Sequence, residues 1–261
     1  MDIFSQSSLL HSLAGAFVGL LVGMTGVGGG SLMTPLLILL FGIPPVTAVG
    51  TDLLYGSATK LCGTAVHSSG KRVAWPVVGL LASGSVPATM ATLWAMKSLG
   101  LERHHGQGLV SMILGVILVL TAVSMVGRPY LLRFARAHAR PVPSRLRLLL
   151  TVLTGLVLGS LVTLTSVGAG ALGVTILMLL YPDLPPPRII GTDIAHAVPL
   201  TLAAGMGHWL LGGVDWHLLL SLLMGSIPGV IIGSVLAARV PELVLRLTLA
   251  AALVVAGVRL V

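Results

Sequence analysis

Charge is scarce in this chain. Of its 261 residues, 8% are Asp, Glu, Lys or Arg, where a soluble domain carries about 25%. A water-exposed surface cannot be built from so few charges, so an ordinary soluble enzyme or binding module is excluded. Cysteine is nearly absent. Cys62 stands alone, which rules out an intrachain disulfide and a thiolate metal cluster; it reads as a small apolar filler. Neither GxSxG nor HExxH occurs, so serine and zinc intramembrane proteases lack their signatures. The opening "MDIFSQSSLL" has no basic n-region, so no cleaved secretory signal is expected.

What fills the chain is apolar. Hydrophobic residues make up 56%, and runs long enough to cross a bilayer recur, most clearly Leu109–Gly127, Val73–Met96, Val214–Ala238 and Leu243–Val261. The class is an all-α polytopic membrane protein. The net charge of +8 is no nucleic-acid footprint, because six of the fifteen basic residues crowd into one connection. They are Arg128, Arg133, Arg136, Arg140, Arg145 and Arg147. Basic connections stay on the cytoplasmic side, so segment 128–147 is expected there, in a bacterial inner membrane. A headgroup or partner site is the lesser reading of the same cluster.

The chain repeats itself. "TGVGGG" at Thr25 answers to "TSVGAG" at Thr165, 140 positions later, and "GTD" at Gly50 answers to "GTD" at Gly191, 141 later. The same offset pairs His67 with His208, Trp75 with Trp216, and "GSVPA" at Gly84 with "GSIPG" at Gly225. Chance likeness between apolar runs would match leucines and alanines, not Gly, Asp, His, Trp and Pro in order. Two transmembrane repeats, 9–127 and 146–261, therefore flank a basic linker, 128–145.

Each repeat reads as five apolar elements, in the first Leu9–Met24, Ser31–Phe41, Val46–Val66, Val73–Met96 and Leu109–Gly127. The second is too short, since eleven residues rise roughly 16 Å against a core of about 30 Å. The first two elements read as a broken or re-entrant hairpin of half-length helices meeting at the glycine turn. Three full spans follow, which makes eight to ten membrane segments overall. Either count per repeat is odd, so the second repeat is inverted relative to the first. With the linker inside, Lys71, Arg72, Arg188, Arg239 and Arg246 fall inside and Asp215 outside, while Lys97 and Arg103 fall on the wrong side. Inverted repeats with broken helices are the signature of secondary transporters.

Irregular backbone at membrane depth survives only where protein buries it or water reaches it. The turn Gly26, Val27, Gly28, Gly29, Gly30 and Ser31 would present free N–H groups at a helix start, and these attract an anion. Val167, Gly168, Ala169 and Gly170 would do the same from the other repeat. The plainer reading is close packing, which the four-residue spacing of Gly15, Gly19 and Gly23, and of Gly225, Gly229 and Gly233, already expresses.

Ionisable residues inside spans are functional candidates. Asp52 and Asp193, beside Thr51 and Thr192, are read either as helix N-caps or as carriers of a coupling proton. Lys60, whose counterpart is Thr201, either neutralises Asp52 or binds the anion. His67, His196 and His208 are interfacial histidines or proton relays. Pro199 kinks its helix, Pro87 and Pro228 bend theirs, and Trp75 and Trp216 anchor helix starts at the interface.

"GLLVGMTGVGGGSLMTPLLILLFGIPPVTAVGTDL" and its degenerate copy "GLVLGSLVTLTSVGAGALGVTILMLLYPDLPPPRIIGTDI" resemble the TauE/SafE, or TSUP, family of sulfite exporters. The resemblance implies ATP-independent transport of small sulfur-containing oxyanions, sulfite or sulfonates, coupled to protons and needing no cofactor. Its matched positions are Gly26, Gly28, Gly29, Gly30, Thr51 and Asp52, with Gly168, Gly170, Thr192 and Asp193. Ser166 and Ala169 replace glycines in the second turn, so that half approaches a substrate less closely. Expected partners are a small anion, a proton or other coupling ion and the lipid bilayer, with no nucleic acid; a homodimer is left open.

Two rivals stand beside this reading. A cation or metal transporter would use Asp52, Asp193, His196 and His208, though without the clustered carboxylates that hard metals favour. An intramembrane aspartyl protease would need Asp52 and Asp193 facing each other and sharing a proton. A scaffold without any site is the remaining class.

Overall fold

The computed structural model describes residues 6–25, 30–69, 73–100, 107–137, 143–236 and 242–261. Ten α-helices account for nearly all of them. In order they are α1 Gln6–Thr25, α2 Gly30–Phe41, α3 Pro45–Ser69, α4 Trp75–Ser98 and α5 Gln107–Ala137, then α6 Ser144–Thr165, α7 Val174–Leu180, α8 Pro186–Leu210, α9 Trp216–Leu236 and α10 Glu242–Leu260. A π-helical turn, Ala169–Gly173, precedes α7. No strand occurs among the described residues. A helix satisfies all its backbone groups internally, which is what lipid demands. Six helices are long and apolar enough to cross a membrane: α4, α5, α6, α8, α9 and α10.

Helix ends follow local chemistry. Proline occupies the first turn of α4 and of α8, where its missing N–H costs nothing. Gly42 ends α2 at φ +64°, donating to the Ile38 carbonyl while Ile43 N–H reaches Leu37; only a residue without Cβ takes that left-handed turn readily. Trp75 and Trp216 do begin α4 and α9, and both are exposed.

Two sequence readings change. The basic connection is mostly helix, because α5 runs past Gly127 to Ala137 and α6 starts at Ser144. Arg, Leu, Phe and Ala are tolerable or good helix formers, so the change of polarity ended the apolar run and not the helix. The first arm of each expected hairpin is not half-length. The 20 residues of α1 rise about 30 Å, and the 22 residues of α6 are themselves a candidate span. Only α2 and α7 are short.

Glycine stripes set the packing. Gly225, Gly229 and Gly233 of α9 lie against the backbone of Ser12, Ala16 and Leu20 on α1, and Gly155 and Gly159 of α6 against Leu81 and Ser85 on α4. In both pairs the numbers rise together, so the helices are parallel. Helix α3 pairs with α8 and α5 with α10. Exchanging segment 6–137 with 144–260 maps this set of pairings onto itself. Two hydrogen bonds obey the same exchange: Asp215 N–H donates to Thr51 Oγ1 at 3.1 Å, and Ala74 N–H to Thr192 Oγ1 at 2.9 Å. Small residues bring these backbones close where lipid supplies no hydrophobic drive between helices.

Candidate functional site

Asp52 and Asp193 are each the eighth residue of their helices, two turns inside α3 and α8. Neither is a helix cap, which corrects that reading. The prolines at positions 44–45 and 185–186 start the helices earlier. Both side chains are fully enclosed. Thr34 on α2 donates its hydroxyl to Asp52 Oδ2 at 2.5 Å, Ser166 sits beside the same carboxyl, and Oδ1 has no partner among the described residues. Asp193 Oδ1 also lacks a partner among the described residues, and it lies against Gly173, where a side chain would collide with it. Gly173 closes the π-helical turn. The second glycine-bearing segment thus touches Asp52 at its start and Asp193 at its end.

That segment is bent by two residues. Ser166 is left-handed at φ 58°, the only non-glycine with positive φ among the described residues, and Gly168 sits at φ 114°. Thr165 Oγ1 accepts the Val167 N–H at 3.2 Å. Val167 is sealed within the apolar cluster of α5 and α10 around Leu114, Leu118 and Leu253, whereas Gly170 is half-exposed. Because α6 runs beside α4 for most of its length, with Gly159 against Ser85, the bend lies toward the last third of α4 and not at its middle. Of the first turn, Gly26, Val27, Gly28 and Gly29 lie outside the described residues, as do the side chains of Ser31 and His67; Gly30 begins α2.

Lys60 completes the set. It is buried on α3, folded back toward Gly56, and within electrostatic reach of Asp193 and, more weakly, Asp52. No direct ion pair or hydrogen bond holds it among the described residues. Gly50 lies against His208 and Gly205 against Leu54, so α3 and α8 are antiparallel. Carried along, that register sets Thr59 opposite Leu200, which are equivalent positions under the 141-residue offset. Lys60 therefore stands at the centre of the crossing beside its counterpart Thr201, with one aspartate toward each end.

The other predicted groups have structural partners. Thr51 and Thr192 accept the backbone bonds given above, and Thr192 also donates to the Arg188 carbonyl at 2.6 Å. His208 Nε2 donates to the Thr163 carbonyl at 2.9 Å, tying α8 to α6. His196 Nε2 pairs with Ser85 Oγ at 2.9 Å, and its Nδ1 has no partner among the described residues. Sequence reasoning missed Thr34, Ser166 and Tyr55. The last bonds Ser226 at 2.5 Å. The offset could have found it, since Tyr55 maps to His196 and Ser226 to Ser85. Arg128, read as part of a topology signal or of a headgroup or partner site, turns inward: its guanidinium donates to Met178 Sδ at 3.0 Å and lies within electrostatic reach of Asp193.

No three His, Cys, Asp or Glu side chains converge among the described residues, so the donor set of a metal transporter is not assembled there. Asp52 and Asp193 sit toward opposite ends of their crossing, unlike a proton-sharing pair. A cleft of about 580 Å³ between α1, α2 and α10 is lined by Phe17, Leu36, Leu40 and Val255 and lies apart from the aspartates.

Residues 12–260 match the family described as Sulfite exporter TauE/SafE. The chain is 42% identical over 250 residues to the probable membrane transporter protein YjnA of Bacillus subtilis, covering 95% of this chain and 98% of that one. It is 26% identical to the probable membrane transporter protein YdhB of the same organism, over 88% and 90% of the two chains. A probable membrane transporter protein of Xylella fastidiosa is likewise 26% identical, over 90% and 86%. No solved structure matches the chain. A match across the whole span of helices, carrying its charges where lipid-spanning segments seldom hold any, leaves one conclusion: this chain belongs to the sulfite exporter TauE/SafE family of membrane transporters and is not an enzyme.

Proposed function

We propose that the chain is a secondary transporter of small sulfur-containing oxyanions, sulfite or a sulfonate, coupled to protons. Its two repeats have opposite orientation, and the connection between α5 and α6 faces the cytoplasm. The observation that carries this reading is Lys60, a buried cation at the centre of the α3–α8 crossing, flanked by two buried carboxyls and directly bonded to neither. A charge so deep in lipid costs at least about 2.5–3.5 kcal/mol, so it is retained for what it binds. The first amides of the π-helical turn, from Ala169 to Ala171, have no intrahelical acceptor, as at any helix start, and lie on the chain that links Asp52 to Asp193. They supply the anion with further donors. Apolar walls on every side suit the organic tail of a sulfonate.

Flux into proteoliposomes tests this directly. With an imposed proton gradient, labelled sulfite or a labelled sulfonate should accumulate, and a divalent metal should not. Movement of the metal with neither anion moving would overturn the reading.

A further inference from the structure

We propose that Lys60 is a shared counter-cation for which the transported anion and Asp193 compete, so that each monovalent anion enters with one proton taken up by the displaced carboxylate. This rests on the oxyanion reading above and adds its coupling and its charge selectivity.

Along the α3–α8 crossing the buried ionisable groups are Asp52, Lys60 and Asp193, with His196 and His208 as imidazoles. His208 spends its Nε2 on the Thr163 carbonyl, and His196 its Nε2 on Ser85. From α2 and the bend come, among the described residues, the hydroxyls of Thr34 and Ser166, both on Asp52. From α9 comes the Tyr55 partner Ser226, and at the far end of that helix the backbone of Asp215, which meets Thr51. From α5 comes Arg128, facing Asp193 past Met178. Two cations thus face two carboxyl groups, Arg128 from the α5 side of Asp193 and Lys60 between the two aspartates.

Uncompensated charge is costly at this depth. With the site empty, Lys60 balances one carboxylate, and hydrogen bonding leaves Asp193 the more dependent on it. Its Oδ1 has no hydrogen-bond donor among the described residues, whereas Asp52 is already held by Thr34. An arriving monoanion brings one further negative charge and finds the same ammonium. Both cannot be neutralised by it. The balance closes when Asp193 gains a proton from the side where the anion entered, forming one O–H bond while the ammonium keeps its charge. The cycle moves one anion and one proton together and is electrically neutral. A divalent anion would need a second proton acceptor next to Lys60, so hydrogen sulfite or a sulfonate is preferred to sulfate.

The position of Lys60 supplies an independent check. Thr201 is its equivalent across the centre of the crossing, so moving the cation from one helix to the other should exchange its relations to the two aspartates, setting it against Asp52 as Lys60 stands against Asp193.

Two measurements decide the proposal. In proteoliposomes, wild-type anion uptake should follow a pH gradient and ignore a potassium diffusion potential. Asp193→Asn should reverse this, with uptake driven by the potential and flattened in pH dependence. The double variant Lys60→Thr/Thr201→Lys should regain pH-driven uptake that Lys60→Thr alone lacks. Uptake by Asp193→Asn that still follows pH and ignores the potential would overturn the competition while leaving anion transport intact. Should Asp193→Asn be inactive, the detergent-solubilised wild type decides: adding a sulfonate in weak buffer should take up one proton per anion bound. Binding without proton uptake overturns the proposal. Absence of any wild-type anion flux or binding would instead overturn the function beneath it.

Discussion

Tyr55 with Ser226 and Ser85 with His196 are built alike and should fail differently. Each joins a hydroxyl to a ring across two helices, at positions 141 apart. Removing the Tyr55 hydroxyl leaves Ser226 on a helix, where it can turn to the carbonyl one turn back, as Thr151, Thr154 and Thr163 already do. His196 has no such recourse. Its Nδ1 is already without a partner, so Ser85→Ala strands both ring nitrogens in a fully buried site. Ser85→Ala should lower stability by about 1–3 kcal/mol and Tyr55→Phe by less than about 1, read from equilibrium unfolding in mixed micelles. Equal losses would refute the distinction. At this scale the charged part of the site was legible, because Asp52, Lys60, Asp193 and His196 interrupt apolar runs. Its hydroxyl part was not. Ser and Thr are ordinary in membrane helices, and the Ser85–His196 partners lie 111 positions apart. The capping reading failed although its correction was in view, since a proline at the first helical turn marks the true start of α3 and α8.

Whole elements are positioned by where glycine is, not by how much of it there is. Gly84 on α4 has the backbone carbonyl of Val152 on α6 where its Cβ would go, while Gly79 on the same helix faces open space. Gly84→Ala must push α6 away or bend α4, at about 1–3 kcal/mol for overpacking. Gly79→Ala removes an exposed helix glycine and should be neutral or stabilising by up to about 1 kcal/mol. Thermal unfolding of the two variants in one detergent checks this, and a loss for Gly79→Ala as large as that for Gly84→Ala would show that propensity and not helix contact governs. Existence and order of the helices could be read from apolar length. Two features could not. The end of α5 was hidden because an arginine-rich stretch can be as helical as a leucine-rich one, and the span-length first arms were hidden because the glycine turn drew both arms into one hairpin.

Across the molecule, what no local pattern announces is that the first helix of each segment packs on the other segment, α1 on α9 and α6 on α4. The repeat could be read from the 141-residue offset, but neighbours within a bundle are decided by matched glycine faces that lie far apart in the chain. This interlocking makes orientation testable at few points. Helices α1 and α9 are parallel, and α3 and α8 antiparallel, so assigning one end assigns the rest. If the α5–α6 connection is cytoplasmic, α4 must end outside, which places Lys97 against the charge rule. Geometry should prevail there, because the two basic residues of that connection, Lys97 and Arg103, weigh less than the six between Arg128 and Arg147. In a Cys62→Ser background, Arg145→Cys should react with a membrane-impermeant maleimide only after the cytoplasmic face is opened. Leu99→Cys, exposed just beyond α4, should react in intact cells. Both residues labelling from the same side would break the odd number of crossings between them, and with it the opposed orientation proposed for the two repeats.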